Sequence, residues 1–160
     1  MRISRENIRK EILEEIQYCD GDVCVENIVE KRLRKEIKDG IQTFQYQINT
    51  LQTSNGQAPF LSVFMYLNED EEYIKETAML IEEMLKQRIK GMQNEVGAWI
   101  TPAFPKLLYV TDENNIYDDS EYYYLTKLAC ECVSKRMMPD FLSAKILKKN
   151  YEGNVVAPMG

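Results

Sequence analysis

Apolar positions along the chain alternate between helical stripes and short continuous runs. Ile8, Ile12, Leu13 and Ile16 fall near one face of a first helix that Ser4 can cap, and Asp20-Gly21 stops it. A longer helix is predicted from about Glu26 to Leu51. Its stripe is Leu33, Ile37, Ile41, Phe44, Ile48 and Leu51, stepping by three or four residues, with Gly40 inside at some cost in propensity. Thr53-Ser54-Asn55-Gly56-Gln57 is a polar break with turn chemistry. Phe60 to Leu67 is nearly continuously apolar, short and aromatic, which predicts a strand buried on both faces, with Pro59 at its start.

Asn68 can cap the next helix, with Glu69, Asp70, Glu71 and Glu72 in its first turn. Ile74, Ala78, Ile81, Leu85 and Ile89 form its stripe, Lys86, Arg88 and Lys90 lie near its end, and Gly91 closes it. After an irregular stretch with Pro102 and Pro105, Leu107 to Val110 reads as a second strand. Asp119 or Ser120 starts a helix carrying Leu125, Leu128, Cys132 and Val133. Pro139 ends that helix and opens a shorter one through Leu142 and Ile146, which Gly153 breaks. Val155-Val156-Ala157 reads as a third strand.

From residue 60 onward this order predicts an α/β unit with parallel strands, right-handed crossovers and helices outside. Three strands cannot close a barrel, so the expected form is an arc of a larger α/β structure. A helical segment, 1–52, and an α/β segment, 53–160, are expected to form one structural unit.

Composition narrows the class. The 160 residues are 44% hydrophobic and 29% charged, an ordinary globular balance long enough for a real core. The net charge of −6 argues against a nucleic-acid partner. No apolar run suits a membrane span, and the charged start has no signal-peptide core, so a cytoplasmic location without a membrane partner is expected. The four cysteines, Cys19, Cys24, Cys130 and Cys132, lack C-x-x-C spacing, and there is no histidine. Structural thiols and no metal site are the expectation.

Familiar catalytic patterns are absent. There is no G-x-G-x-x-G after a strand, no phosphate-binding G-x-x-x-x-G-K, and no Ser-His or Cys-His pair. Asp118-Asp119 and Glu69 to Glu72 read as caps and helix-dipole partners. Tyr122-Tyr123-Tyr124 spread around a helix and cannot make one stacking platform. The basic face Lys31, Arg32, Arg34, Lys35 and Lys38 reads as solvated, with a helix-pairing or effector-facing surface as the alternative.

Three stretches carry a resemblance. Arg32 to Leu51, running into Thr53-Ser54-Asn55-Gly56-Gln57-Ala58-Pro59-Phe60, is the first. Trp99-Ile100-Thr101-Pro102-Ala103-Phe104-Pro105-Lys106-Leu107-Leu108-Tyr109-Val110 is the second. Tyr123 to Ala129 followed by Lys135-Arg136-Met137-Met138-Pro139-Asp140 is the third. In order and approximate spacing they resemble the anaerobic, class III ribonucleoside-triphosphate reductase family.

That resemblance implies a ten-stranded α/β barrel of two antiparallel half-barrels, of which this chain is a partial, three-strand parallel arc with two N-terminal helices. It implies reduction of ribonucleoside triphosphates to deoxyribonucleotides. It also implies a glycyl radical made by an iron–sulfur, S-adenosylmethionine activase, formate as reductant, a structural zinc, ATP and deoxynucleotide effectors, and a homodimer. The family's radical cysteine follows a Pro-Met-Gly-like motif. Pro158-Met159-Gly160 matches its beginning, which places Met159 and Gly160 beside the active site and puts the cysteine, the glycyl segment, the zinc cluster and the ATP module outside these residues. No catalytic residue and no cofactor are therefore expected within the chain, which should be inactive alone. Ser54, Asn55, Gly56 and Gln57 are expected to line the substrate pocket, because a glycine permits close backbone approach and the others supply donors and acceptors. Thr101 to Pro105 is a second candidate rim segment. The alternative is a non-catalytic nucleotide-binding or subunit-interaction module.

Overall fold

A computed structural model describes residues 2–15, 22–51, 56–57, 59–69 and 71–157. Helix α1 (Arg2–Glu15) packs against α2 (Asp22–Thr50). Ile12, Val25 and Val29 bury together between them, with Ile8 and Ile28 alongside. The second helix is long because its apolar stripe never breaks. Leu33, Ile37 and Ile41 pass into the main core, Phe44 packs on its margin, and the end of the stripe, Leu51, is exposed. Ser4 lies inside α1 and donates to Glu36 Oε1, 3.1 Å away, so its predicted capping role is corrected. The stop predicted at Asp20-Gly21 lies outside the described residues.

Strand β1 (Ser62–Met65) is followed by two single 3-10 turns and then α3 (Ile74–Lys90). A small antiparallel hairpin, β2 (Met92–Gln93) and β3 (Trp99–Ile100), precedes β4 (Lys106–Thr111). Helix α4 (Tyr123–Arg136), β5 (Asp140–Ser143) and α5 (Ala144–Asn150) complete the order. The main sheet runs β1-β4-β5, parallel throughout, with α3 and α4 as the crossovers. Among the described residues this is a three-strand parallel sheet with five α-helices.

Central strand β4 is buried on both faces, as its unbroken apolar run predicts: Leu107, Leu108, Tyr109 and Val110 are all at most 3% exposed. Alternation divides them. Leu107 and Tyr109 join Met65 against Leu85, Leu125, Ala129 and Cys132 of α3 and α4. Val110 joins Tyr66 and Ala144 on the other face, with Phe64, Leu142 and Val155 packed against them.

Several element assignments need correction. The third strand is Asp140–Ser143, not Val155-Val156-Ala157, which form no strand. The helix expected from Pro139 begins only at Ala144. Helix α4 ends when Met137 turns left-handed (φ +58), and Pro139 cannot continue it. The next four residues then pair with Leu108 to Thr111. Asn68 does not cap α3, which starts at Ile74. Its amide oxygen instead accepts from Asn114 Nδ2. Likewise α4 starts at Tyr123, and Ser120 Oγ donates to the Glu113 carbonyl, 2.9 Å away. Gly91 closes α3 as predicted, and its N–H reaches Gln87 O at 2.9 Å. The tyrosine trio separates: Tyr122 is buried, Tyr124 is exposed, and Lys127 Nζ lies 4.8 Å from the Tyr123 ring centroid.

Candidate functional site

The parallel register determines what meets at the start of the strands. Ser62 pairs with Lys106, so the segments leading into β1 and β4 enter side by side, and the Lys106 N–H donates to Leu61 O over 2.8 Å. Phe60 and Phe104 meet edge to face, with ring centroids 5.3 Å apart. Lys106 Nζ reaches across to Asp140 Oδ2 at 3.0 Å, adding the start of β5 to the same rim. The residues immediately before β1 and the 101–105 segment thus feed neighbouring strands at one rim of the sheet.

Gly56, upstream of β1, has φ +75 and is exposed, with nothing within 4 Å of where a Cβ would be. Its role is conformational: a larger residue would be strained by its backbone, not by crowding. Gln57 is exposed. Ser54, Asn55, Met159 and Gly160 lie outside the described residues.

The 101–105 segment is anchored from behind by three side chains. Asn49 Nδ2 donates to Phe104 O at 2.9 Å. Arg136 donates to Thr101 Oγ1 at 2.9 Å and to the end of α3 at Ile89 O and Lys90 O. Arg88, fully buried, donates from its two terminal nitrogens to Pro102 O and Pro105 O. Its Nε is buried without a partner, and burial pushes the guanidinium below its ordinary pKa. In the sequence Arg88 falls between Lys86 and Lys90 among the basic residues near a helix end. Its position three residues beyond Leu85, on the same stripe as Ile81 and Ile89, was the available signal that it points inward.

The opposite rim is polar and closed on itself. Asn115, fully buried, donates from Nδ2 to Val110 O at 3.0 Å and accepts the Asp112 N–H at 2.9 Å. Thr126 Oγ1 donates to Asn115 O at 2.6 Å and meets the Tyr109 hydroxyl at 2.9 Å. Burial pushes the Tyr109 hydroxyl up to about 12. Asp112 Oδ1 accepts from the Asn114 N–H at 2.8 Å, but Oδ2 is buried with no partner. Burial holds this carboxyl above its ordinary range, against the Asn114 bond and the Lys148 charge. The folded state therefore favours the neutral acid. That contribution is present at low pH and lost as pH rises through the raised pKa. Asp112→Asn, which cannot ionise, should accordingly raise the melting temperature relative to the parent at pH 7. The gain should vanish below about pH 4, where the ordinary aspartic acid is itself protonated. Thermal melts of both proteins across pH 3.5–7.5 check this, and an equal difference at every pH would contradict it.

The basic face of α2 lines a groove of about 610 Å³ against α3, where Lys31, Lys35, Lys38 and Lys86 face Glu82 and Glu83. Arg34 bridges Glu30 and Glu82, each at 3.3 Å. Among the described residues no group of three or more acidic or cysteine side chains could hold a metal. Cys130 is exposed. Cys132 is buried beside Leu125 and Ala129, and burial pushes its thiol up to about 11, the state of an inert packing cysteine. These residues do not fit a zinc or iron–sulfur centre. No helix among the described residues is long and apolar enough to cross a membrane.

Comparison with known proteins agrees with the three stretches noted above. The profile of the anaerobic ribonucleoside-triphosphate reductase family matches residues 9–160. The anaerobic ribonucleoside-triphosphate reductase of Enterobacteria phage T4 is 39% identical over 136 residues, covering 84% of this chain and 21% of the relative. Those of Haemophilus influenzae and Escherichia coli are each 35% identical, over 85% and 84% of this chain and 18% of the relative. The chain spans about a fifth of the length of the curated relatives it matches. It belongs to the anaerobic ribonucleoside-triphosphate reductase family.

Proposed function

We propose that these residues form part of the substrate-facing wall of an oxygen-sensitive ribonucleoside-triphosphate reductase, and that Ser54, Asn55, Gly56 and Gln57 contact the substrate. Family membership supplies the reaction class. The observation that carries the assignment is the parallel register, which brings the segments before β1 and β4 to one rim and pairs Phe60 with Phe104. Upstream of β1, Gly56 is exposed at φ +75, and the 101–105 segment at the rim is anchored by Asn49 and Arg88, which keeps that segment pre-organised for binding. The three-strand sheet would be an arc of the ten-stranded barrel, with Met159 and Gly160 leading towards the reacting cysteine.

The reaction replaces the ribose 2′-hydroxyl with hydrogen. The hydroxyl leaves as water after taking up a proton, while formate gives up its hydrogen and an electron pair and becomes carbon dioxide. A glycyl radical, installed by an iron–sulfur, S-adenosylmethionine activase, supplies the one-electron chemistry from another part of the reductase, and the structural zinc belongs there too. The residues of this chain bind and orient. We assign the assembled enzyme a homodimeric, cytoplasmic form under ATP and deoxynucleotide control.

This reading expects formate-dependent reduction of a ribonucleoside triphosphate by the intact, activated reductase and none by the 160-residue chain alone. Product analysis by chromatography under anaerobic conditions measures both. Deoxynucleotide formed by the isolated chain would contradict it.

A further inference from the structure

Between the second half of α2, the end of α3 and the β2–β3 hairpin lies a cleft of about 250 Å³ that the substrate reading does not use. Gln42, Gln45 and Tyr46 reach it from one face of α2, spaced by three and four residues. Gln87 and Lys90 reach it from α3, and Trp99 from β3. Gly91, at φ +82, closes the hairpin onto the helix: a Cβ there would meet Ile100 O at 2.6 Å.

The cleft walls have unspent hydrogen-bonding capacity. Gln45 is only 3% exposed, and the one hydrogen bond its side chain makes among the described residues is a weak one, from Nε2 to Met84 Sδ at 3.6 Å. Gln45 lines the cleft, and no strong hydrogen bond of its amide is made among the described residues. Gln87, 6% exposed, donates from Nε2 to Glu83 Oε1 at 2.8 Å. Burying two amides beside an aqueous cleft at the edge of an apolar core is costly unless they meet a partner. Trp99 is 49% exposed and Tyr46 61%, and Lys90 Nζ lies 5.1 Å from the centre of the indole ring. A cation thus sits over one face of that ring.

We infer that this cleft binds the base of a single nucleotide, stacked on Trp99, its edge read by the Gln45 and Gln87 amides and its phosphate met by Lys90. A glutamine amide pairs a donor with an acceptor, the pattern that matches the edge of a purine such as adenine. Aromatic faces stack on bases of any kind. At about 250 Å³ the cleft is too small for a dinucleotide. The site is distinct from the rim at the strand starts, and the inference does not rest on the substrate assignment there.

Trp99 is the sole tryptophan, so its fluorescence reports on the cleft directly. The chain is titrated with adenosine 5′-monophosphate, which is not a triphosphate substrate, and with inorganic phosphate as a separate arm. Saturable quenching by the nucleotide is expected. It should weaken about ten-fold in Gln45→Met and in Gln87→Met, each removing one buried hydrogen bond at nearly constant volume, with circular dichroism unchanged. Lys90→Gln should weaken the monophosphate and leave adenosine unaffected, a comparison that needs no buried residue to be altered. Absence of saturable quenching, quenching that survives both glutamine substitutions, or an equal response to inorganic phosphate would overturn the inference. Variants at Asn55 and Gln57 leave this signal intact, so failure here and failure at the rim are separable.

Discussion

Arg88→Met should lower stability by about 3 kcal/mol, a fall in melting temperature of roughly 6–12 °C. Arg88 is fully buried, and its guanidinium bonds two backbone carbonyls, Pro102 O and Pro105 O, in the segment entering β4. Two effects oppose each other. Removing the guanidinium relieves the desolvation of a cation that has no carboxylate partner among its bonds. It also orphans two carbonyls, of which Pro105's is sealed in the core, and each orphaned group costs about 1–3 kcal/mol. Charge-assisted bonds to both carbonyls compensate most of the desolvation in the folded chain, so the loss wins. Methionine keeps most of the side chain's length and apolar stem, so the variant reports the bonds more than a cavity. Amide exchange should accelerate in the 101–111 region before α1 and α2 respond. A variant as stable as the parent, with β4 equally protected, would show that the guanidinium is not what fixes this rim.

How much was legible follows from which forces left a pattern in the chain. The α2 stripe from Leu33 to Ile48 and the α3 stripe from Ile74 to Ile89 are helical because each must bury one face, and the spacing records it. Strand β4 was legible because both its faces are buried, which demands an unbroken apolar run. Strand β5 was not. Asp140-Phe141-Leu142-Ser143 lies at a sheet edge, half exposed and four residues long, and runs straight into Ala144-Lys145-Ile146-Leu147, so the helical signal masked it. Val155 misled for the opposite reason. It is apolar because it covers Tyr66 and Val110 from outside the sheet, a packing role that needs no strand. The β2–β3 hairpin was invisible because two-residue strands carry no periodicity.

At the candidate site, the segments 54–57 and 101–105 came from the family resemblance and local turn chemistry. That the residues entering β1 lie beside 101–105 came only from the register of β1 on β4. The anchors were hidden because Asn49 and Arg88 are polar residues on helices whose outward faces are also polar. Only the tertiary fold distinguishes an inward-facing arginine from a solvated one. Asp112 and Asn115 were equally silent, since their roles depend on a loop folding back onto the end of β4.

Placing the substrate at the strand-start rim leads to the largest functional effect. Asn55→Ala combined with Gln57→Ala, introduced into the intact reductase, removes two polar side chains beside a glycine already in a left-handed conformation. If both bond the substrate, the loss should be about 2–4 kcal/mol in kcat/KM, on the order of 30- to 1000-fold. Gly56→Ala, strained at φ +75, should lower turnover in the same direction by displacing the loop. Gly56 and Gln57 are exposed, so melting temperature should move little. The most direct measurement is equilibrium binding of a ribonucleoside triphosphate to the double variant, read beside formate-dependent turnover. A substrate affinity weakened at least ten-fold, with the fold intact, is the predicted result. Affinity and turnover equal to the parent's would contradict the placement of the substrate at this rim.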